Sequence, residues 1–168
     1  MTDILLTSES YLRDNLPISR NIDFKIIRPN VISAQELYTQ DILGSDFYQY
    51  ILLAFSGQTL NANEEILVQN YIKPHVAYRS LSMTLPFLQN QIVNKGAQKQ
   101  REDYSDATTF EEFKFLLHNV DNRAEFYEEY LVKYLCENSE LFPQYKSQPN
   151  SLINPNPKNG WNTGLVFY

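Results

Sequence analysis

Between Thr109 and Glu137 the chain has no glycine and no proline, and its apolar residues fall three and four apart without a slip. Phe110, Phe113, Leu117, Val120, Ala124, Tyr127, Leu131 and Tyr134 make up the series. An α-helix turns residues so spaced onto one side, and the alternation is that of a heptad seam. Thr109 followed by Glu112 has the spacing of a capping box. The stretch predicts one helix over 109–137, roughly 40 Å long at 1.5 Å per residue, or two if Asp121–Asn122 caps a second. Such a seam calls for a partner, either other helices of its own chain or a coiled coil with another chain.

The residues before it repeat the helical period with more interruptions. A first helix starts near Thr7 as N-cap, with Glu9 in its first turn and Leu6 and Tyr11 at staple spacing, and ends before Pro17. Phe24, Ile27, Val31, Ala34, Tyr38 and Ile42 predict a second, longer helix. Pro29 either starts it or kinks it, and Gly44 stops it. Ser45 or Asp46 then caps a short helix to Phe55, closed by Ser56–Gly57. Asn61 with Glu64 has capping-box spacing ahead of Ile66, Leu67, Tyr71 and Ile72. Pro74 interrupts, and Ala77, Leu81, Leu85, Leu88 and Ile92 resume the pattern, bent at Pro86 and ended by Gly96. Ile27–Val31 and Ile72–Val76 echo one another around Pro29 and Pro74, by duplication or by chance. Residues 94–107 are polar and aperiodic and predict a long loop, of a length usually functional or mobile. No strand pattern precedes the tail.

Pro143 ends the helical part, and from Lys146 the composition changes. Pro149, Pro155 and Pro157, among several Asn and two Gly, leave no core-forming pattern. The end of the sequence then turns apolar: Trp161, Leu165, Val166, Phe167 and Tyr168. An arm of this kind, 147–168, reaches roughly 70 Å when extended. A semi-rigid spacer ahead of β-forming apolar residues has the layout of a tether with an anchor. Burial of those residues on a partner, as an added strand for instance, gives them a use; folding back on the chain's own bundle is the other reading. The fold class expected is therefore all-α, an antiparallel helical bundle with kinked helices over 1–145 and an extended C-terminal arm over 146–168 for partner docking.

Composition narrows the function classes. The 168 residues carry a net charge of −6, which opposes a grip on nucleic acid while leaving room for a wall that DNA slides past. Cys136 is the single cysteine, so no disulfide framework or cysteine metal cluster is expected, and the protein reads as soluble and made in a reducing cytoplasm. The longest clear apolar run, Tyr50–Phe55, is too short to span a bilayer. Aromatic residues reach 14%, with 12 Tyr and 10 Phe, which suits cores thinning toward a surface and also interfaces.

No catalytic constellation is specific. His75 and His118 fall in different helices and are expected at or partly below the surface, and Cys136 reads as a small buried hydrophobe. The glycines are isolated, so there is no phosphate loop. Glu64-Glu65, Glu111-Glu112 and Glu128-Glu129 are adjacent residues that diverge on a helix and read as solvated faces. In the loop, Lys95, Lys99 and Arg101 are offset by Glu102 and Asp103. The expectation is no enzyme, no cofactor and no metal.

Three stretches resemble head–tail connector (adaptor) proteins of tailed bacteriophages, closest to those of crAss-like phages. They are IIRPNVISAQELYTQDILGSDFYQYI, YIKPHVAYRSLSMTLPFLQNQIVNKG and AEFYEEYLVKYLCENSELFPQY. They include the pair Ala34-Gln35, the Ile-Leu-Gly stop at 42–44 and the Phe-Pro stop, and the resemblance spans most of 5–145. It implies a structural virion protein at the capsid–tail junction. Such proteins are helical bundles that form a ring, often of twelve copies, beneath the portal and continue the DNA channel. It implies the portal protein, copies of itself and other tail or connector proteins as partners, with DNA passing through unbound. By this carry-over Trp161, Leu165, Val166, Phe167 and Tyr168 face the portal or a neighbouring subunit. Lys95, Lys99, Arg101, Glu102 and Asp103 lie at the lumen or against the next ring component. The alternatives are a cellular helical adaptor or regulatory subunit binding one partner through the same tail, and a small hydrolase using His75 or His118.

Overall fold

The heptad stretch is one unbroken helix, Phe110–Glu137, in the computed structural model, which describes residues 4–19, 22–93, 96–99 and 110–146. In chain order the helices are α1 (Glu9–Asn15), α2 (Phe24–Ala34), α3 (Gln40–Leu43), α4 (Ser45–Ser56), α5 (Ala62–Leu67), α6 (Lys73–Gln89), α7 (Phe110–Glu137) and α8 (Pro143–Lys146). The fold is all-α. Helix α6 is central and packs against both α2 and α7.

Two widened turns lie inside continuous helix, and the second stands where a break was expected at Pro74. A π-turn, Gln35–Thr39, joins α2 to α3, and another, Val68–Ile72, joins α5 to α6. In the second, the Lys73 N–H reaches the Val68 carbonyl, one residue further back than in an α-helix. Pro74 follows directly and brings no N–H of its own, so the local register shift lets the helix run on. Pro29 falls inside α2, which starts earlier, at Phe24, with the Asp23 carboxylate accepting from the Lys25 N–H.

Several local expectations hold at the atomic level. The Gly44 backbone has φ 76° and ψ 154°, a conformation glycine adopts freely, and it separates α3 from α4. Asn61 and Glu64 form the complete reciprocal box: Asn61 Oδ1 accepts from the Glu64 N–H at 3.0 Å, and Glu64 Oε2 accepts from the Asn61 N–H at 2.9 Å. Glu64 is nonetheless buried rather than solvated, because its other oxygen accepts from the Tyr50 hydroxyl at 2.9 Å. Replacing Glu64 with alanine removes the return cap and the tyrosine's acceptor together. It is expected to cost about 2 kcal/mol, read as a lower urea midpoint.

Other boundaries move. Ser8, not Thr7, caps α1 by accepting from the Tyr11 N–H, and Thr7 is buried instead. Helix α4 begins at Ser45 itself with no side-chain cap. Helix α6 ends at Gln89, and a short antiparallel hairpin follows, β1 (Asn90–Val93) paired with β2 (Gly96–Lys99) from Asn90↔Lys99 to Val93↔Gly96. The β-branched pair Ile92-Val93 favours strand where a helical continuation was expected. Pro143 opens a final turn, α8, because the first helical position needs no N–H donor. The Thr109 cap and the arm 147–168 lie outside the described residues.

The core runs the length of the described chain. Leu12, Val31, Leu43, Phe47, Ile51, Leu67, Ile72, Val76, Leu131, Leu135 and Phe142 are all essentially sealed from solvent. Residues 4–6 are drawn in by Gln35, a buried side chain in the first π-turn. Its Oε1 accepts from the Leu6 N–H at 2.8 Å, and its Nε2 donates to the Ile4 carbonyl at 3.1 Å. None of the described helices is long and apolar enough to cross a membrane.

Candidate interaction surface

Most of the residues that sequence reading assigned to contacts fall outside the described part of the structure. Trp161, Leu165, Val166, Phe167, Tyr168, Lys95, Arg101, Glu102 and Asp103 lie outside the described residues. Lys99 closes strand β2, so the supposed loop carries regular pairing at its start.

Helix α7 has two faces. The heptad seam points inward over its C-terminal two-thirds: Val120, Ala124, Leu131 and Leu135 are buried, and Tyr127 and Tyr134 half-buried. Tyr134 stacks on Tyr71 with ring centroids 3.9 Å apart, and Tyr127 on Tyr78 at 5.1 Å. This settles that part of the seam as packing within the chain's own fold. Toward the N-terminus the seam is less covered: Phe113 and Leu117 are half-buried and Phe110 is exposed.

The opposite side of α7 carries a second row that the heptad reading passed over. Phe115, Phe126 and Tyr130 are 70%, 59% and 43% exposed. Phe115 and Phe126 stand eleven residues apart, about three helical turns, so they share a face. Tyr130 follows one turn on at the border between the two sides: it stacks with Phe126 at 6.0 Å and 12°, and its ring also lies 4.7 Å from that of Tyr71. Scattered exposed hydrophobics are ordinary, whereas rings sharing one side of a helix form a row. The signal was present in the sequence as Phe115, Phe126 and Tyr130 lying off the seam.

A second feature is an open cleft of about 530 Å³ beside the Val68–Ile72 π-turn. Tyr11, Tyr78 and Tyr127 line it with Asn15, Gln69 and Asn70, and Pro74 forms part of its wall. Because Pro74 has no N–H, the Asn70 carbonyl one turn earlier receives no α-helical bond from it. The cleft is lined by uncharged side chains, and Lys73 at its edge lies over the Tyr11 ring and bonds Gln69 Oε1 at 2.6 Å.

The histidines separate. His118 is exposed, 3.3 Å from Asn122. His75 has no solvent exposure, against the surface or partly buried site expected for it, and neither ring nitrogen has a hydrogen-bond partner. Burial, and then the Arg79 charge, hold its imidazole down to about 3. Arg79 itself donates to Glu128 and lies over the Tyr38 ring at 4.3 Å, which ties α6 to α7 and to the first π-turn. Cys136 is half-buried and close enough to Tyr145 to help burial push that hydroxyl up to about 12. Among the described residues no group of three His, Cys, Asp or Glu side chains could hold a metal.

The model of a family of unknown function, DUF6712, matches residues 39–154. It begins at the end of the first π-turn and takes in α3 to α8. No curated protein and no solved structure matches the chain.

Proposed function

We propose, for a chain that belongs to this family of unknown function, that it is a structural protein of a tailed-bacteriophage virion. In this reading it is a head–tail connector that forms a ring below the portal, joins capsid to tail and continues the DNA channel. It acts by binding, not catalysis. Its partners are the portal protein, further copies of itself in a ring, other connector or tail proteins, and DNA that passes without specific contact.

One observation carries the reading: the three stretches that resemble connector proteins coincide with the packed framework. The first supplies Ile27, Val31, Ala34, Leu43, Phe47 and Ile51 to the core, the second Ile72, Val76, Ala77 and Leu81, and the third Leu131, Leu135 and Phe142. A resemblance resting on buried positions speaks to a shared fold more than to shared surface. The net charge of −6 agrees with a channel wall that does not hold DNA.

The experiment is mass spectrometry and cryo-electron microscopy of particles of the phage that carries this sequence. The expected result is the chain in ring copy number at the capsid–tail junction; its absence from particles overturns the reading. The arm has its own test. Every residue of the described core precedes residue 147, so deleting 150–168 is expected to leave a folded helical protein that no longer joins portal rings. Normal assembly of that variant removes Trp161, Leu165, Val166, Phe167 and Tyr168 as the anchor, and wild-type docking of both Trp161→Ala and Phe167→Ala does the same.

A further inference from the structure

The outward face of α7 is complementary to itself when run in the opposite direction. Its members, in order, are Glu112, Phe115, Asn119, Asn122, Phe126, Tyr130 and Lys133, spaced three or four apart along 28 helical residues. Taken about the step from Asn122 to Arg123, Phe126 lies as far after it as Asn119 lies before it. Tyr130 likewise mirrors Phe115, and Lys133 mirrors Glu112. We propose that this face binds the same face of a second copy, with the two α7 helices antiparallel about a two-fold axis at Asn122–Arg123.

In that arrangement each Phe115 meets a Tyr130, each Asn119 meets a Phe126, and each Glu112 meets a Lys133. Every contact occurs twice, as a two-fold interface requires. On each side of Asn122 at the axis come an Asn119–Phe126 layer and then a Phe115–Tyr130 layer, and two acid–base pairs close the ends. The exposed rings gain burial, while amides in the middle of a helical seam fix register and direction rather than adding stability. Within one chain Lys133 makes a surface contact with Glu137, 4.0 Å away and both side chains well exposed, an interaction of small worth. Parallel pairing would place Glu112 on Glu112 and Lys133 on Lys133, which the charges oppose. A two-fold contact is closed and does not by itself build a ring, so the pairing describes the free protein and goes beyond the connector reading without depending on it.

Sedimentation of the full-length protein over a range of concentrations tests it. The wild type is expected to be a reversible dimer. Phe126→Asp should abolish it. Glu112→Lys and Lys133→Glu should each weaken it by about tenfold or more, since each sets two like-charge pairs face to face. The double variant carrying both exchanges should recover it. In a Cys136→Ser background, Asn122→Cys should form a disulfide-linked dimer under mild oxidation. Glu112, Asn122, Phe126 and Lys133 are on the surface and Cys136→Ser is nearly isosteric, so circular dichroism should be unchanged. A wild type that stays monomeric at every concentration overturns the proposal. So does a dimer that survives Phe126→Asp, or a double variant no better than the singles.

Discussion

Replacing His75 with leucine should make this protein markedly less sensitive to acid. The imidazole is fully enclosed, and burial and the neighbouring Arg79 charge hold it at about 3 in the folded chain. In the unfolded chain it titrates near the ordinary value of about 6.5. Above that value neither state is charged and His75 adds no pH dependence. Below it the unfolded chain takes a proton that the folded chain refuses, so stability falls with pH. The slope is about 1.4 kcal/mol per pH unit until the folded value is reached. Between pH 6.5 and 4.5 this one side chain should remove about 2–3 kcal/mol, a large part of the 5–15 kcal/mol typical of a domain. Leucine has similar volume and does not titrate. It also ends the burial of two unpartnered nitrogens, each costing about 1 kcal/mol or more, so the variant should be no less stable than wild type at pH 7.5. Urea unfolding of both proteins at pH 7.5 and 4.5 checks this. Carboxylate titration affects both alike, so the quantity to read is the difference between their losses. Equal losses would show that the buried imidazole is not the acid-sensitive element.

Phe142→Ala should be the most damaging single truncation at the end of the described fold. Its ring is 1% exposed and sits 5.8 Å from the Phe47 ring and 6.1 Å from the Tyr134 ring. It thus holds the Ser139–Leu141 turn and α8 against both α4 and α7. Removing a ring so enclosed forfeits its burial and leaves a cavity, for a loss of about 3–5 kcal/mol. Phe115→Ala is the matched control, since that ring is 70% exposed and its loss should change monomer stability by less than about 0.5 kcal/mol. Denaturant midpoints of the two variants, at a concentration where the wild type is monomeric, separate the aromatic residues that hold the fold from those free for contacts. In the Phe142 variant, α8 should also exchange its amides faster, and with it the base from which the arm departs would loosen.

Much of the fold could be read from local rules, because those rules concern neighbours in sequence. The unbroken three-and-four spacing after Thr109 required a long helix. Asn61 with Glu64 required a helix start, and Gly44 a stop, and each is met by hydrogen bonds or dihedral angles within a few residues. The all-helical class follows from the same periodicity. The outward row Phe115, Phe126 and Tyr130 was also present in the spacing, but one helix face had already been assigned, and a second apolar face is invisible until the first is known to be covered.

What local rules left open depends on contacts between distant residues. Glu64 looked like a solvated first-turn charge until Tyr50, on another helix, supplied a donor that made its burial tolerable. Gln35 gave no sign that it would hold residues 4–6, thirty positions earlier in the chain. Pro74 signalled a break, yet a π-turn absorbed it, since packing of α6 between α2 and α7 rewards a continuous helix. His75 followed a proline at what looked like an exposed helix start, and the central position of α6 enclosed it. The sequence by itself determined which segments are helical and, at Gly44 and Asn61–Glu64, where a helix stops or starts, because periodicity, caps and glycine act over one or two turns. The tertiary structure alone decided which polar groups are buried and which apolar ones are left outside, because burial belongs to the surfaces that come together and not to any single segment.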